Sequence, residues 1–147
     1  MPEKKDEVVD TELPVILVAD DDKELNNTIC KALAEDLHSV RFSQAFDGNQ
    51  AVETVGKEKP TVIILNLMMP KMSGFLVLEK IKNRGGVSAR TPPIVIIITG
   101  QLGLRHRDWA EKLGAWQYMQ KPFLMQKLFE NVQEALQIAR PNKRQES

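Results

Sequence analysis

The stretch from Thr61 to Gly74, TVIILNLMMPKMSG, limits this chain to few folds. Val62, Ile63, Ile64 and Leu65 form an unbroken aliphatic run between Pro60 and Pro70. A short β-branched run bounded in this way reads as a strand buried on both faces, which is the habit of parallel sheets covered by helices. Asn66 stands at the carboxyl end of that strand. In open parallel sheets, that end is where ligands bind. The neighbourhood would suit a carboxylate, yet the residue is an amide.

Two more runs have the same character. Val15 to Ala19 follows Pro14, and Ile94 to Ile98 follows Pro93. Val40 to Phe46 alternates weakly, and Ala115 to Met119 is a last short strand. Helical stripes lie between them. Leu25, Ile29, Leu33 and Leu37 recur every fourth residue, with Asp22 placed to cap and Glu24 in the first turn, where the helix dipole favours acid. Asn49 to Lys57 offers Ala51, Val52 and Val55, while Ser73 can cap a helix with Leu76, Leu78 and Ile81 on its apolar face. Gly85-Gly86 would end that helix, and Gly114 would end the one spanning Arg105 to Leu113. A final amphipathic helix carries Phe123, Leu124, Leu128, Val132, Leu136 and Ile138. Strand and helix alternate five times, which predicts an α/β sheet of parallel strands with helices on both faces.

With 147 residues the chain suits one domain, expected over 14–139, with a solvated lead over 1–13 and a polar tail over 140–147. The 20 basic side chains equal the 20 acidic ones, so no nucleic-acid partner is expected. The single cysteine, Cys30, excludes an internal disulfide and suits a cytoplasmic setting. No apolar run approaches the ~20 residues of a membrane helix, so no membrane partner is expected either.

Four strand ends carry polar residues: Asp20-Asp21, Asn66, Thr99 and Lys121. A parallel sheet gathers such ends on one edge, so these residues should meet. Each has a plainer reading alone. The acidic run could serve the helix dipole, Asn66 a turn, Thr99 a strand and Lys121 the solvent. Together they favour a shared site.

These residues carry a resemblance to the receiver domains of two-component response regulators. It rests on VADD (18–21), the P-x-V-I-I-L-x-L-M-M-P-x-M-S-G run (60–74), I-I-T-G (97–100) and Y-M-Q-K-P-F (118–123), and it covers residues 14 to 139. The resemblance implies a flavodoxin-like, doubly wound five-stranded sheet of order 2-1-3-4-5 with five helices. It implies that Asp20, Asp21 and the Met68 carbonyl are the Mg²⁺ ligands, that position 66 accepts a phosphoryl group from a histidine kinase, that Thr99 and Lys121 hold the phosphoryl oxygens, and that Tyr118 is the aromatic switch. Carboxylate and carbonyl oxygens suit a hard dication, and a transferring phosphoryl group needs its charge neutralised.

Asn66 departs from the family pattern. An amide has no anionic oxygen to attack phosphorus, and it removes one negative charge from the metal site. Weak Mg²⁺ binding, or none, is therefore expected. Asn66 is also expected to hydrogen-bond Lys121 or Thr99 and hold one conformation. Three origins stay open: a native amide in a pseudo-receiver, an ordinary receiver whose acceptor aspartate was changed, or an amide that deamidates slowly. The expected function is signal transduction by a stand-alone receiver through protein contact. Its partner would be a histidine kinase, a phosphotransfer protein or a downstream protein. A Mg²⁺-dependent phosphohydrolase is the rival, although such an enzyme would need a nucleophilic aspartate. The partner surface is expected on the fourth helix, fifth strand and fifth helix, with Trp109, Trp116 and Tyr118, and a homodimer could use the same face. Trp116 shares the parity of Tyr118, so the two should point the same way. The alternative for Trp116 is packing against aliphatic stems of long side chains.

Overall fold

The computed structural model describes residues 13–83, 93–100 and 104–139. Among them, five strands alternate with five helices: β1 (Val15–Ala19), α1 (Lys23–Asp36), β2 (Arg41–Ala45), α2 (Gly48–Glu58), β3 (Val62–Asn66), α3 (Gly74–Asn83), β4 (Ile94–Thr99), α4 (Leu104–Lys112), β5 (Ala115–Gln120) and α5 (Met125–Ala139). The strands form one parallel sheet in the order β2-β1-β3-β4-β5, as the resemblance implies. The glycine pair at 85–86 lies outside the described residues.

The sheet separates two cores. On one face Ile16, Val18, Ile64, Ile96 and Ile98 pack with Ile29 and Leu33 of α1 and with Leu128, Val132 and Ala135 of α5. On the other, Leu17, Ile63, Leu65 and Ile97 pack with Ala51 and Val55 of α2, Val77, Leu78 and Ile81 of α3, and Ala110 of α4. Every residue of β1 and β3 is buried, as expected of central strands covered on both sides.

Helix starts follow local chemistry. Asp22 caps α1 by accepting from the Leu25 N–H at 3.1 Å. Asp47 caps α2 through the Gln50 N–H at 2.8 Å, and the Gln50 side chain accepts from the Phe46 N–H at 2.8 Å. Ser73 Oγ accepts from the Leu76 N–H at 3.4 Å at the start of α3. Gly114 leaves α4 with φ +104°, a left-handed conformation that favours glycine.

Four expectations about apolar faces fail. Ile138, near the end of α5, is 47% exposed. Leu76 is exposed on α3, while Val77, Leu78 and Ile81 are its buried residues. Phe123 and Leu124 precede α5, and Leu124 is 76% exposed. Trp116 does not share a face with Tyr118. The β4–β5 register jumps from Val95↔Ala115 to Ile96↔Gln117, so a bulge at Trp116 inserts one residue and reverses the parity. Trp116 therefore packs on the α1–α5 face, and Tyr118 on the opposite one.

Candidate functional site at the carboxyl edge of the sheet

Register alone brings the expected residues together. Ala19 pairs with Leu65, Asn66 with Ile98 and Thr99 with Gln120, so Asp20, Asn66, Thr99 and Lys121 leave the sheet on one edge. Asp20 and Thr99 are fully buried and Asn66 is 4% exposed, whereas Asp21 lies open.

The Asp20 carboxylate accepts three hydrogen bonds. Its Oδ2 accepts from Lys121 Nζ at 2.8 Å. Its Oδ1 accepts from the Asp22 backbone N–H at 3.0 Å and from Asn66 Nδ2 at 3.3 Å. A buried carboxylate needs such partners, because an unpaired charge there is costly. Lys121 is placed by its own backbone N–H, which donates to the Thr99 carbonyl at 2.7 Å and joins the ends of β4 and β5.

Asn66 turns its NH2 toward three oxygens: Met68 O at 3.0 Å, Asp21 Oδ1 at 3.2 Å and Asp20 Oδ1 at 3.3 Å. Its carbonyl accepts from the Met68 N–H at 3.3 Å. The neighbours enforce this orientation. Reversed, the amide would set an oxygen against two carboxylates and an NH2 against an N–H. The expected bond from Asn66 to Lys121 does not form. The ammonium reaches Asp20, and the amide serves the acidic pair because its donors face the surplus of negative charge.

Asp20, Asp21 and Met68 supply the hard oxygens that a dication prefers. The point on which these oxygens converge is filled by the Asn66 NH2. As arranged, the site fits a hydrogen-bond donor and not Mg²⁺.

The loop after β3 is tightly held. The Gly74 N–H donates to the Leu67 carbonyl at 2.8 Å. A Cβ on Gly74 would lie 2.6 Å from both the Asn66 carbonyl oxygen and Leu67 Cα, so only glycine lets α3 start this close to the site. The Leu67 N–H donates to Ile98 O at 3.3 Å. Deamidation through a cyclic imide needs that nitrogen to attack the Asn66 side chain, so the bond protects the amide.

Asn26 is an important residue that sequence reasoning missed. Buried in the first turn of α1, its NH2 donates to the carbonyls of Val18, Asp20 and Ala45, each at 3.1 Å. Its Oδ1 accepts from Gln44 Nε2 at 2.9 Å. It thereby ties the ends of β1 and β2 together directly beneath Asp20. The available signal was spacing: Asn26, Ile29 and Leu33 lie on one helical stripe. Cys30 sits beside this network, and burial pushes its thiol up to about 11 despite the opposing Gln44 hydrogen bond.

Away from the acidic cup, Trp109 is 58% exposed on α4 and stacks on Phe75 of α3 with ring centroids 5.2 Å apart. Tyr118 is half-buried. Desolvation raises its hydroxyl above the ordinary tyrosine range, and the Arg107 guanidinium opposes the shift. No described helix is long and apolar enough to cross a membrane.

Comparison with known proteins agrees with the fold. The chain is 26% identical over 131 residues to the response regulator MprA of Mycolicibacterium vanbaalenii, a match covering 88% of this chain and 54% of that relative. The chain thus spans about half the length of the curated relatives it matches. Among solved structures, the signal receiver domain of a putative Luxo repressor protein from Vibrio parahaemolyticus superposes with TM-score 0.79 at 26% identity, over 92% of this chain and 98% of that one. The receiver domain of the Francisella response regulator 1452 superposes with TM-score 0.73 at 27% identity, over 83% and 95%. The family model of the response regulator receiver domain matches residues 16–133, and the chain belongs to that family.

Proposed function

We propose that this receiver domain works in two-component signalling as a pseudo-receiver, passing its signal by protein contact without phosphorylation at residue 66. The observation that carries this reading is the Asn66 amide, hydrogen-bonded to both carboxylates and to Met68 O where an acceptor carboxylate would stand. Receivers exchange signals with histidine kinases or phosphotransfer proteins, and they are in general non-catalytic signalling domains. The partner surface of this one centres on Trp109 of α4, a residue 58% exposed that stacks on Phe75 of α3. Exposed aromatic rings are favoured at interfaces. Trp116, half-buried on the other side of the sheet, belongs to the core rather than to this surface.

A second reading has its own support. Asp20, Thr99 and Lys121 stand at the same sheet edge as in a phosphoaccepting receiver, so an aspartate at position 66 would find the other groups waiting. One experiment separates the two. The chain and its Asn66→Asp variant are incubated with acetyl phosphate and Mg²⁺ and analysed by intact mass. The unaltered chain is expected to gain no phosphoryl group, and an adduct on it would overturn the proposal. Labelling of Asn66→Asp favours an ordinary receiver with a blocked acceptor, and its failure to label favours long-standing loss of the chemistry.

A further inference from the structure

Resting on the reading of residue 66 as a non-accepting amide, we infer that the Asn66 NH2 is a built-in replacement for the dication of this family. It ties the acidic pair to the β3–α3 loop, so that the loop is held without metal. Three features carry this. The amide nitrogen lies 3.0–3.3 Å from Met68 O, Asp21 Oδ1 and Asp20 Oδ1, oxygens contributed by two separate segments of chain. Its two hydrogens are shared among three acceptors, so it satisfies at one point what an ion would satisfy there. The reciprocal bond from the Met68 N–H to Asn66 Oδ1 closes a two-way clamp on the first turn of the loop.

Charge supports the same conclusion. Lys121 offsets one of the two carboxylates through Asp20 Oδ2, which leaves the opposite oxygens of the pair facing the amide. A dication entering there must displace the NH2 from all three partners. If the side chain rotated to offer its own oxygen instead, the amide would turn toward the Met68 N–H, donor against donor. Entry therefore breaks the loop clamp, and the folded chain gains little from the ion. An aspartate at this position has the opposite balance: a third carboxylate beside two others, relieved only by a cation.

The test is thermal unfolding of the unaltered chain, Asn66→Asp and Asn66→Ala, each in chelator and in excess Mg²⁺, with amide hydrogen exchange read at Met68. The unaltered chain is expected to shift its midpoint by less than about 1 °C on adding Mg²⁺. Asn66→Asp should melt about 5 °C or more lower in chelator and recover most of that with Mg²⁺. Asn66→Ala should lose protection at the Met68 N–H by about tenfold or more in both buffers. A midpoint of the unaltered chain that rises with Mg²⁺ as far as that of Asn66→Asp would overturn the inference. So would unchanged Met68 protection in Asn66→Ala, which applies even if Asn66→Asp does not fold in chelator. A phosphoryl adduct on the unaltered chain would overturn the signalling reading while leaving these stability results as they stand.

Discussion

Two buried asparagines share one chemical habit: each divides an NH2 among three oxygens at the carboxyl edge of the sheet. Asn66 serves two carboxylates and a carbonyl, and Asn26 serves three backbone carbonyls. An amide is suited to this because it offers donors without a charge that would itself need burying. Asn26→Ala would take the side-chain donor from the Asp20 carbonyl at the floor of the site, while Gln44 would keep only its bond to Asn27 Oδ1 at 2.7 Å. A loss of about 2–3 kcal/mol is expected, read as a lower urea midpoint with unchanged slope. A change below about 0.5 kcal/mol would show that water replaces the side chain freely. The importance of Asn66 was legible in the sequence, because it interrupts an aliphatic run at a strand end. Its partners were not. Which oxygens an amide meets depends on charge balance across three strands, and the lysine expected to bond it was already engaged by Asp20.

Helices and strands are placed by short-range contacts that tolerate little change. Gly48 opens α2 against the β3–α3 loop, where a Cβ would stand 2.2 Å from the Met72 carbonyl oxygen. Gly56 lies later in the same helix with nothing within 4 Å of its would-be Cβ. The two are therefore expected to respond oppositely to alanine in chemical denaturation. Gly48→Ala should cost about 1–3 kcal/mol through overpacking, and Gly56→Ala should add about 0.5–1 kcal/mol through helix propensity and unfolded-chain entropy. Equal effects at both positions would mean that the loop moves aside without cost. At this scale the alternation of strands and helices could be read directly, since each element carries its own period and caps. The bulge at Trp116 could not. It is a property of how β5 pairs with β4, and a single residue slipped in pairing turns every later side chain to the other face.

The whole molecule is a sheet with two cores rather than one. Ile63 faces the core of α2, α3 and α4, and Ile64 faces that of α1 and α5, both at 0% exposure. Truncating either to alanine should cost about 2–5 kcal/mol in unfolding free energy. A sheet with one wet face would instead show one costly and one nearly neutral substitution. The two-sided burial is also what excludes water from Asp20 and Thr99 and confines the site to the sheet edge.

The class of fold, the order of its elements and the set of polar residues that leave the strands on one edge were legible in the residues alone. Those follow from periodicity, from turn and cap residues, and from the rule that parallel strands end together. Long-range packing fixes the rest: Lys121 pairs with Asp20, Asn66 takes the place between the carboxylates, Asn26 supports them from below, and Trp116 turns inward. Each of these is a choice among partners tens of residues apart. Local chemistry names the groups that need a partner, and only packing chooses which one each obtains.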